Sequence, residues 1–378
     1  MKILFVLTYY RPHWTGLTQY AARVAEGLAK RGHQVEVLCS QHDKRLPLAE
    51  EINKVKVSRL PFLFKFLRSV VMPKFPFELW KKVKENEVIV AYLPLQEVLL
   101  TAFFCKIQKK KLFLVHNGDL VLPRSCGLFC RLTEKIYYWT TGLAIRWSER
   151  VLVQTKDYAD HSPLLNKFKD KWAIILPLYE TIKVAEKDIE EFKKKYSLPN
   201  KKLIGFSGRF VEEKGVDYLL KAIPLVVKKY PKVHFVFAGD YKIQYERFWE
   251  KIRGMIEENK KNITLLGLLK DKKEIFAFYK SLNIYVQPSR TDCFPSSLVE
   301  ALLSGVPCVC SNIPGARWPV RQTGMGEIVK PKDPESLSKG ILKVLSDREK
   351  YLRNSKKVKE IFDYKKTLVE YERLFRGN

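Results

Sequence analysis

Apolar and polar positions follow two periods along the chain, one of a strand and one of a helix, and the two alternate. The run Lys2–Leu7 predicts a buried strand. After a loop, Ala22, Val24, Ala25, Leu28 and Ala29 recur at helical spacing inside a helix predicted over Gln19–Arg31, which Gly32-His33 ends. A strand at Gln34–Cys39 completes a strand–helix–strand unit, and the glycine-bearing loop after its first strand implies a parallel sheet. Further strands are predicted at Val88–Tyr92, Leu112–His116, Arg150–Gln154 and Ala173–Leu176, with helices at Leu95–Gln108 and Thr133–Trp147. Glu180–Lys195 then reads as a charged connecting segment.

The alternation restarts after it. Strands fall at Lys202–Ser207, Val233–Ala238, Ile263–Leu266, Ile284–Gln287 and Pro307–Cys310. Helices fall between them at Val216–Lys229, Phe248–Asn259, Lys273–Ser281 and Ser297–Ser304, and the tail after Asp347 is helical and charged. Two runs of this kind predict two doubly wound α/β domains, each with its ligand site at the carboxyl ends of the strands. A chain of 378 residues suits that reading, being too long for one ordinary core. No internal repeat or low-complexity tract interrupts it.

Composition changes the picture in three respects. The formal charge of +28 points to nucleic acid, an anionic membrane or anionic small molecules as partner, unless the lysine enrichment merely reflects an AT-rich genome or a thermophilic host. The seven cysteines are odd in number and lack paired zinc-ligand spacing, so they read as free thiols in a reducing cytoplasm. The first apolar run breaks at Tyr9-Tyr10-Arg11-Pro12, which favours a buried strand over a signal peptide, and no stretch is long enough to span a bilayer.

Two motifs carry chemistry. In Gly208-Arg209-Phe210-Val211-Glu212-Glu213-Lys214-Gly215 a strand delivers two cations, with four residues between them, to the start of a helix. A diphosphate needs fixed cations and free backbone N–H groups, and a helix N-terminus adds partial positive charge. By itself the motif also fits a solvated charged turn. The second runs from Pro288 to Ala301 and ends in Gly305-Val306-Pro307. Its carboxylates, Asp292 and Glu300, have seven residues between them, across a loop and a helix start. Glu300 stands in an apolar run that suggests burial, where a ribose diol would satisfy it, and Asp292 would reach a sugar hydroxyl. A capping carboxylate plus a surface glutamate is the alternative.

Together, G-R-x4-K-G, the acid-x7-acid frame and G-x-P resemble the retaining glycosyltransferases of family 4. The start of the chain, Pro12-His13-Trp14-Thr15-Gly16 and later Gly32-His33-Gln34-Val35, is similar to that family's start. The resemblance implies a GT-B architecture, two Rossmann-like domains facing each other across a cleft. Residues 1–183 would form the acceptor-side domain and 184–357 the nucleotide-sugar domain, with a helix at 358–378 packing back on the first. It implies that Arg209 and Lys214 clasp a donor diphosphate, with Gly208 in the same turn. Glu300 would bind the ribose, and Asp292 with Phe294, Pro295 and Ser296 would hold the sugar. Gly16 would let the first loop approach the phosphates, His116 would sit against sugar and acceptor, and Asp119 would lie on the acceptor side.

Three positions depart from the family pattern. Asp292 stands where glutamate is usual, Thr15-Gly16 replaces a glycine pair, and Pro177-Leu178-Tyr179-Glu180 replaces N-G-x-D at the linker. No D-x-D occurs, so no metal and no cofactor are expected, and the two cations take the place of a metal beside the diphosphate. The expected reaction is transfer of a hexose, mannosyl or glucosyl in type, from a UDP- or GDP-sugar to a glycan or lipid-linked acceptor in cell-surface polysaccharide or glycolipid synthesis. A sugar-nucleotide epimerase, a phosphorylase and an inactive scaffold remain alternatives. Nucleic-acid binding is disfavoured because no recognition motif accompanies the basicity.

Residues 59–84 interleave cations with aromatic residues. Arg68, Lys74, Lys81, Lys82 and Lys84 would face an anionic membrane, placing the protein in the cytoplasm as a peripheral inner-face enzyme, unless the aromatic residues are core and the cations a solvated face.

Overall fold

The computed structural model describes residues 1–66, 69–120, 127–241, 243 and 246–377. They form two compact units, one of Met1–Leu178 with Tyr364–Asn378, the other of Tyr179–Asp363. Both are α/β with doubly wound, predominantly parallel sheets, the class the alternating pattern predicts.

Unit 1 holds strands β1 (Lys2–Val6), β2 (Gln34–Ser40), β3 (Ala49–Ile52), β4 (Val55–Leu60), β5 (Lys65–Phe66), β6 (Ser69–Val70), β7 (Val88–Leu93), β8 (Lys111–His116), β9 (Arg150–Val153) and β10 (Trp172–Ile174). Its helices are α1 (Gly16–Lys30), α2 (Phe75–Glu85), α3 (Val98–Ile107), α4 (Gly127–Trp147) and α5 (Lys156–His161). The main sheet runs β10-β9-β8-β7-β1-β2-β4-β3, with β3 alone antiparallel to its neighbour. Helices cover both faces, which is why β7 (VIVAYL) is buried at every position. On one face α2, α3 and α4 pack through Leu79, Val83, Ala102, Ala144 and Ile145. On the other lie α1 and the C-terminal helix Tyr364–Arg376, which adds Leu368, Tyr371 and Phe375 to the core.

Polar contacts fix that returning helix. Glu372 accepts from Arg31 Nε at 2.6 Å and Nη2 at 2.9 Å, and His33 Nε2 lies 2.9 Å from the same carboxylate. The hydroxyls of Tyr20 and Tyr371 are hydrogen-bonded in the core beneath. The chain leaves unit 1 after Leu178, which is buried in its core, whereas Tyr179 packs on Phe362 in unit 2. The division therefore falls before the 183/184 boundary suggested by sequence. Val358 and Phe362 are buried within unit 2, so only the helix from Tyr364 returns.

Unit 2 holds α6 (Glu186–Lys195), β11 (Lys202–Ser207), α7 (Val216–Lys229), β12 (Val233–Ala238), α8 (Phe248–Glu258), β13 (Ile263–Gly267), α9 (Lys272–Ser281), β14 (Ile284–Gln287), α10 (Ser296–Leu303), β15 (Cys308–Ser311), α11 (Pro314–Thr323), β16 (Gly326–Val329) and α12 (Pro334–Ser346). The sheet is wholly parallel in the order β13-β12-β11-β14-β15-β16. The charged connecting segment is in part α6, an element of unit 2 that buries Ile189 and Phe192.

Other expectations need correction. The hairpin β3–β4 and the last pair α11–β16 escape the hydrophobic pattern because their burial is partial. Helix α1 starts at Gly16, three residues before the expected start at Gln19, because Thr15 caps it by accepting from Thr18 N at 3.3 Å. Cys39, Cys105, Cys293, Cys308 and Cys310 are free thiols, but Cys130 is disulfide-bonded. Arg59 is no surface cation. It is fully buried, donating to the carbonyls of Arg11 at 2.8 Å and Pro47 at 3.0 Å beside Glu50. Lys82 is largely covered and paired with Glu36 at 3.1 Å, whereas Lys74, Lys81 and Lys84 are exposed. Arg68 lies outside the described residues. Among those described, no helix is long and apolar enough to cross a membrane.

One titratable group in unit 1 went unnoticed in the sequence. Glu97 precedes α3 at the carboxyl end of β7, and burial pushes its carboxyl up to about 7. Its folded pKa lies above the unfolded value, so stability is lost as pH rises through that range. Glu97→Gln is therefore expected to gain on wild type between pH 5 and 8, with parallel unfolding curves across that range as the contrary result. Leu368→Ala, which opens a cavity between α1 and the returning helix, is expected to cost about 2–5 kcal/mol. Hydrogen exchange of the β1 amides, which report unit 1 alone, measures that loss.

Candidate functional site

In unit 2 the strand order reverses between β11 and β14, so the connections after these neighbouring strands depart to opposite faces and leave a crevice at their carboxyl ends. The two motifs, distant in sequence, are those two connections. They touch at Gly215, whose φ is +66° and where a Cβ would lie 2.1 Å from the Pro288 carbonyl oxygen. Both the left-handed backbone and the close approach require glycine there. A second glycine, Gly315 in α11, clamps the far side of the 288–295 loop, since a Cβ there would meet the carbonyl oxygens of Asp292 at 2.1 Å and Cys293 at 2.3 Å.

The contact brings two of the candidates, Lys214 and Asp292, together. Lys214 Nζ lies 2.6 Å from Asp292 Oδ2, with both side chains mostly covered. Arg209, more exposed, donates from Nη2 to Glu213 Oε1 at 3.0 Å. Arg290, which the sequence reading passed over, ties the loops together. Its backbone N–H donates to the Glu213 carbonyl at 2.8 Å, and its guanidinium grips Asp217 on α7 bidentately at 2.7 and 3.0 Å. It also lies over the Tyr218 ring, 4.4 Å from the centroid.

Glu300 is half-buried rather than fully enclosed, because α10 turns this position toward α9. There Tyr279 donates its hydroxyl to Glu300 Oε2 at 3.2 Å. Burial, with the nearby Glu300 charge, raises the Tyr279 pKa far above the ordinary phenol range, so the ring stays a donor. Ser207 links Tyr279 to Tyr285 at 3.0 and 3.2 Å, and Gln287 continues the network to Ser289 at 2.7 Å and Ser297 at 3.2 Å. These polar groups hold the strand ends β11 and β14 in fixed relation below the crevice. Tyr279 and Tyr285 read in the sequence as ordinary core aromatics, which hid their hydroxyls.

The remaining residues of the second motif form the turn into α10. Pro295 is buried at its N-cap, and Ser296 Oγ lies 3.4 Å from the Tyr179 hydroxyl. Phe294 packs with Trp318 and Phe362, so its ring has an aromatic cluster to sit on. The N-terminus of α10 thus sits at the carboxyl end of β14, where helix ends attract anions. Gly208 follows β11 directly and donates its N–H to the Ala238 carbonyl at 2.9 Å.

Three candidates lie in unit 1, also at strand carboxyl ends. Gly16 opens α1 after β1, and a Cβ there would meet nothing within 4 Å, so the space beside it is open. His116 ends β8 and is buried, with Nε2 3.6 Å from Asp119 Oδ1. Asp119 accepts from Ser162 at 2.7 Å and Tyr158 at 3.0 Å. Although burial raises its pKa, His116, Ser162 and Tyr158 outweigh this and keep it below the ordinary value.

The comparisons bear on what these sites belong to. Residues 14–176 match the family described as glycosyltransferase family 4, and residues 188–361 that described as glycosyl transferases group 1. An uncharacterised glycosyltransferase of Methanocaldococcus jannaschii is 26% identical over 385 aligned positions, covering 94% of this chain and 93% of its own. The capsular polysaccharide biosynthesis glycosyltransferase CapM of Staphylococcus aureus is 26% identical over 145 positions, 38% of this chain and 37% of its own. Among solved structures, Anabaena HepE in complex with UDP and glucose matches with a TM-score of 0.80 at 16% identity, covering 100% of both chains. Its sequence motifs, the two consecutive family matches and a GT-B fold shared along its whole length agree that this chain belongs to the family 4 glycosyltransferases.

Proposed function

We propose that the protein transfers a hexosyl group, glucosyl or mannosyl in type, from a UDP- or GDP-sugar to a hydroxyl of a glycan or lipid-linked acceptor, with retention of configuration and without a metal. The observation that carries this is the ion pair of Lys214 with Asp292 at the strand-order reversal of unit 2, with Arg209 and Glu300 on the same two connections. HepE, crystallised with UDP and glucose, shares the fold, and CapM takes part in capsular polysaccharide synthesis, which supports a nucleotide-sugar donor and a cell-surface product.

In this reading Arg209 and Lys214 bind the diphosphate, and Gly208 and the N-terminus of α10 add backbone polarity. Lys214 is already held by Asp292, so little reorganisation accompanies binding. A carboxylate offers about four acceptor positions, so Glu300 can take ribose hydroxyls while accepting from Tyr279. Asp292, Phe294, Pro295 and Ser296 border the sugar. In unit 1, Gly16 has open space beside it for a phosphate, and His116 serves the sugar and acceptor.

The acceptor oxygen bonds to the anomeric carbon on the face from which the phosphate departs. The carbon–phosphate oxygen bond breaks, and the acceptor proton passes to the leaving phosphate. Negative charge grows on that phosphate as the bond breaks, which is where two fixed cations stabilise the transition state more than the ground state. Exposed Lys74, Lys81 and Lys84 give unit 1 a basic face, which supports work at an anionic, cytoplasmic membrane surface.

Arg209→Ala and Lys214→Ala are each expected to lower kcat/KM by about 10²–10³-fold, read as nucleoside diphosphate released from UDP- and GDP-hexoses. Near-wild-type rates in both variants would refute the assignment. Transfer is also expected to survive EDTA. A loss of about tenfold or more that Mn²⁺ restores would show that the cations do not suffice.

A further inference from the structure

Helix α4 is apolar on two sides, one packed in the core and the other largely exposed among the described residues. Cys130, Thr141, Ala144 and Ile145 face the core of unit 1. Leu128, Phe129, Leu132, Ile136 and Trp139 lie on the opposite side, between 54% and 83% exposed. At helical spacing these five fall within roughly a third of the circumference and extend along about 16 Å of helix. Isolated exposed apolar residues are ordinary, but a stripe of five large ones is not. The hydrophobic pattern of the sequence gives no hint of it, because a helix with two apolar sides reads as a buried one.

The charges beside the stripe identify what covers it. Arg131, Lys135 and Arg146 are exposed on α4, and Lys106 on α3 lies over the Trp147 ring, 4.6 Å from its centroid. The one acid on α4, Glu134, falls at helical spacing away from the exposed stripe. Exposed apolar surface continues across α3 through Phe103 and Ile107 to Phe77 and Trp80 on α2, where Lys81 and Lys84 share the same side. Rings connect these helices, with Trp80 edge-on to Phe104 at 5.0 Å and Phe103 beside it at 6.1 Å. A bed of large apolar side chains rimmed by cations complements an anionic lipid surface, which offers acyl chains beneath a layer of phosphates.

We propose that α4 lies in the plane of an anionic bilayer with this stripe among the acyl chains, while its cations and those of α2 engage the headgroups. This deepens the membrane reading given above, and rests on it, by adding α4 as an inserted element to the headgroup-facing cations of α2. It also connects docking with chemistry inside unit 1. Tyr138 on α4 donates to the Leu120 carbonyl at 2.9 Å, so this half of the helix is bonded to the loop that carries Asp119. The acceptor-side residues are thereby held close to the lipid surface.

The full chain is tested by co-sedimentation with vesicles of phosphatidylcholine alone and of phosphatidylcholine with phosphatidylglycerol. Wild type is expected to bind the anionic vesicles, less at high salt, and brominated lipid to quench a fluorescence component that Trp139→Phe removes. Leu132→Asp/Ile136→Asp is expected to weaken vesicle binding at least about tenfold, with melting temperature and UDP- or GDP-induced thermal shift unchanged. Lys81→Glu/Lys84→Glu is expected to weaken it in a manner that low salt accentuates. If the lysine variant loses binding and the α4 variant keeps it, the basic-face reading stands and the insertion of α4 is overturned. The insertion is equally overturned if wild type ignores anionic vesicles at low salt, or if wild type is a dimer that the α4 substitutions dissociate. None of these outcomes bears on the sugar-transfer reading, which the Arg209 and Lys214 variants test separately.

Discussion

Two parallel strands whose following connections leave for opposite faces cannot fill the space between those connections with their own helices. In unit 2 that space opens between β11 and β14, and the backbone contact of Gly215 with Pro288 decides how wide it is. The position of Lys214 beside Asp292, the bridge from Arg290 to Asp217 and the turn into α10 all follow from that contact. The tyrosine and glutamine network below it resists any shear of one strand end against the other. A larger residue at 215 would therefore disturb every candidate ligand contact in the unit at once.

Much of this could be read from the chain because parallel strands buried on both faces announce themselves as short apolar runs. The runs at 202–207, 233–238 and 284–287 lie where the strands lie. The cationic and acidic motifs were visible for the same reason, since charges at the end of an apolar run have few structural uses. What escaped notice was whatever depends on a neighbour distant in sequence. Arg290 resembles any loop arginine until Asp217 is placed opposite, and Tyr279 resembles any core ring until Glu300 turns toward it. Arg59 misleads in the other direction. A cation among aromatic residues suggested a surface, yet three carbonyl and carboxylate partners hold it inside.

The basic charge of the chain, first met as an unassigned total, acquires a distribution in the structure. Part of it is spent within units, as in Arg31 with Glu372 and Lys82 with Glu36. Part stands at the strand ends of unit 2, in Arg209 beside Glu213 and Lys214 beside Asp292. The remainder includes the exposed lysines of α2, on the same side of the sheet as α4. Net charge alone could not separate these uses, because it carries no information on which cations already have partners.

The returning helix Tyr364–Arg376 gives the molecule a timetable as well as a shape. Unit 1 is discontinuous, with all of unit 2 inserted between its two pieces. During synthesis residues 1–178 emerge first, but the part of their core beside α1 that receives Leu368, Tyr371 and Phe375 stays uncovered while the next 185 residues are made. At about 5–20 residues per second that interval lasts roughly ten to forty seconds. Unit 2, continuous in the chain, can finish folding within it. The domain that is translated first is thus the one completed last, and until then it carries an open apolar face for which a chaperone would compete.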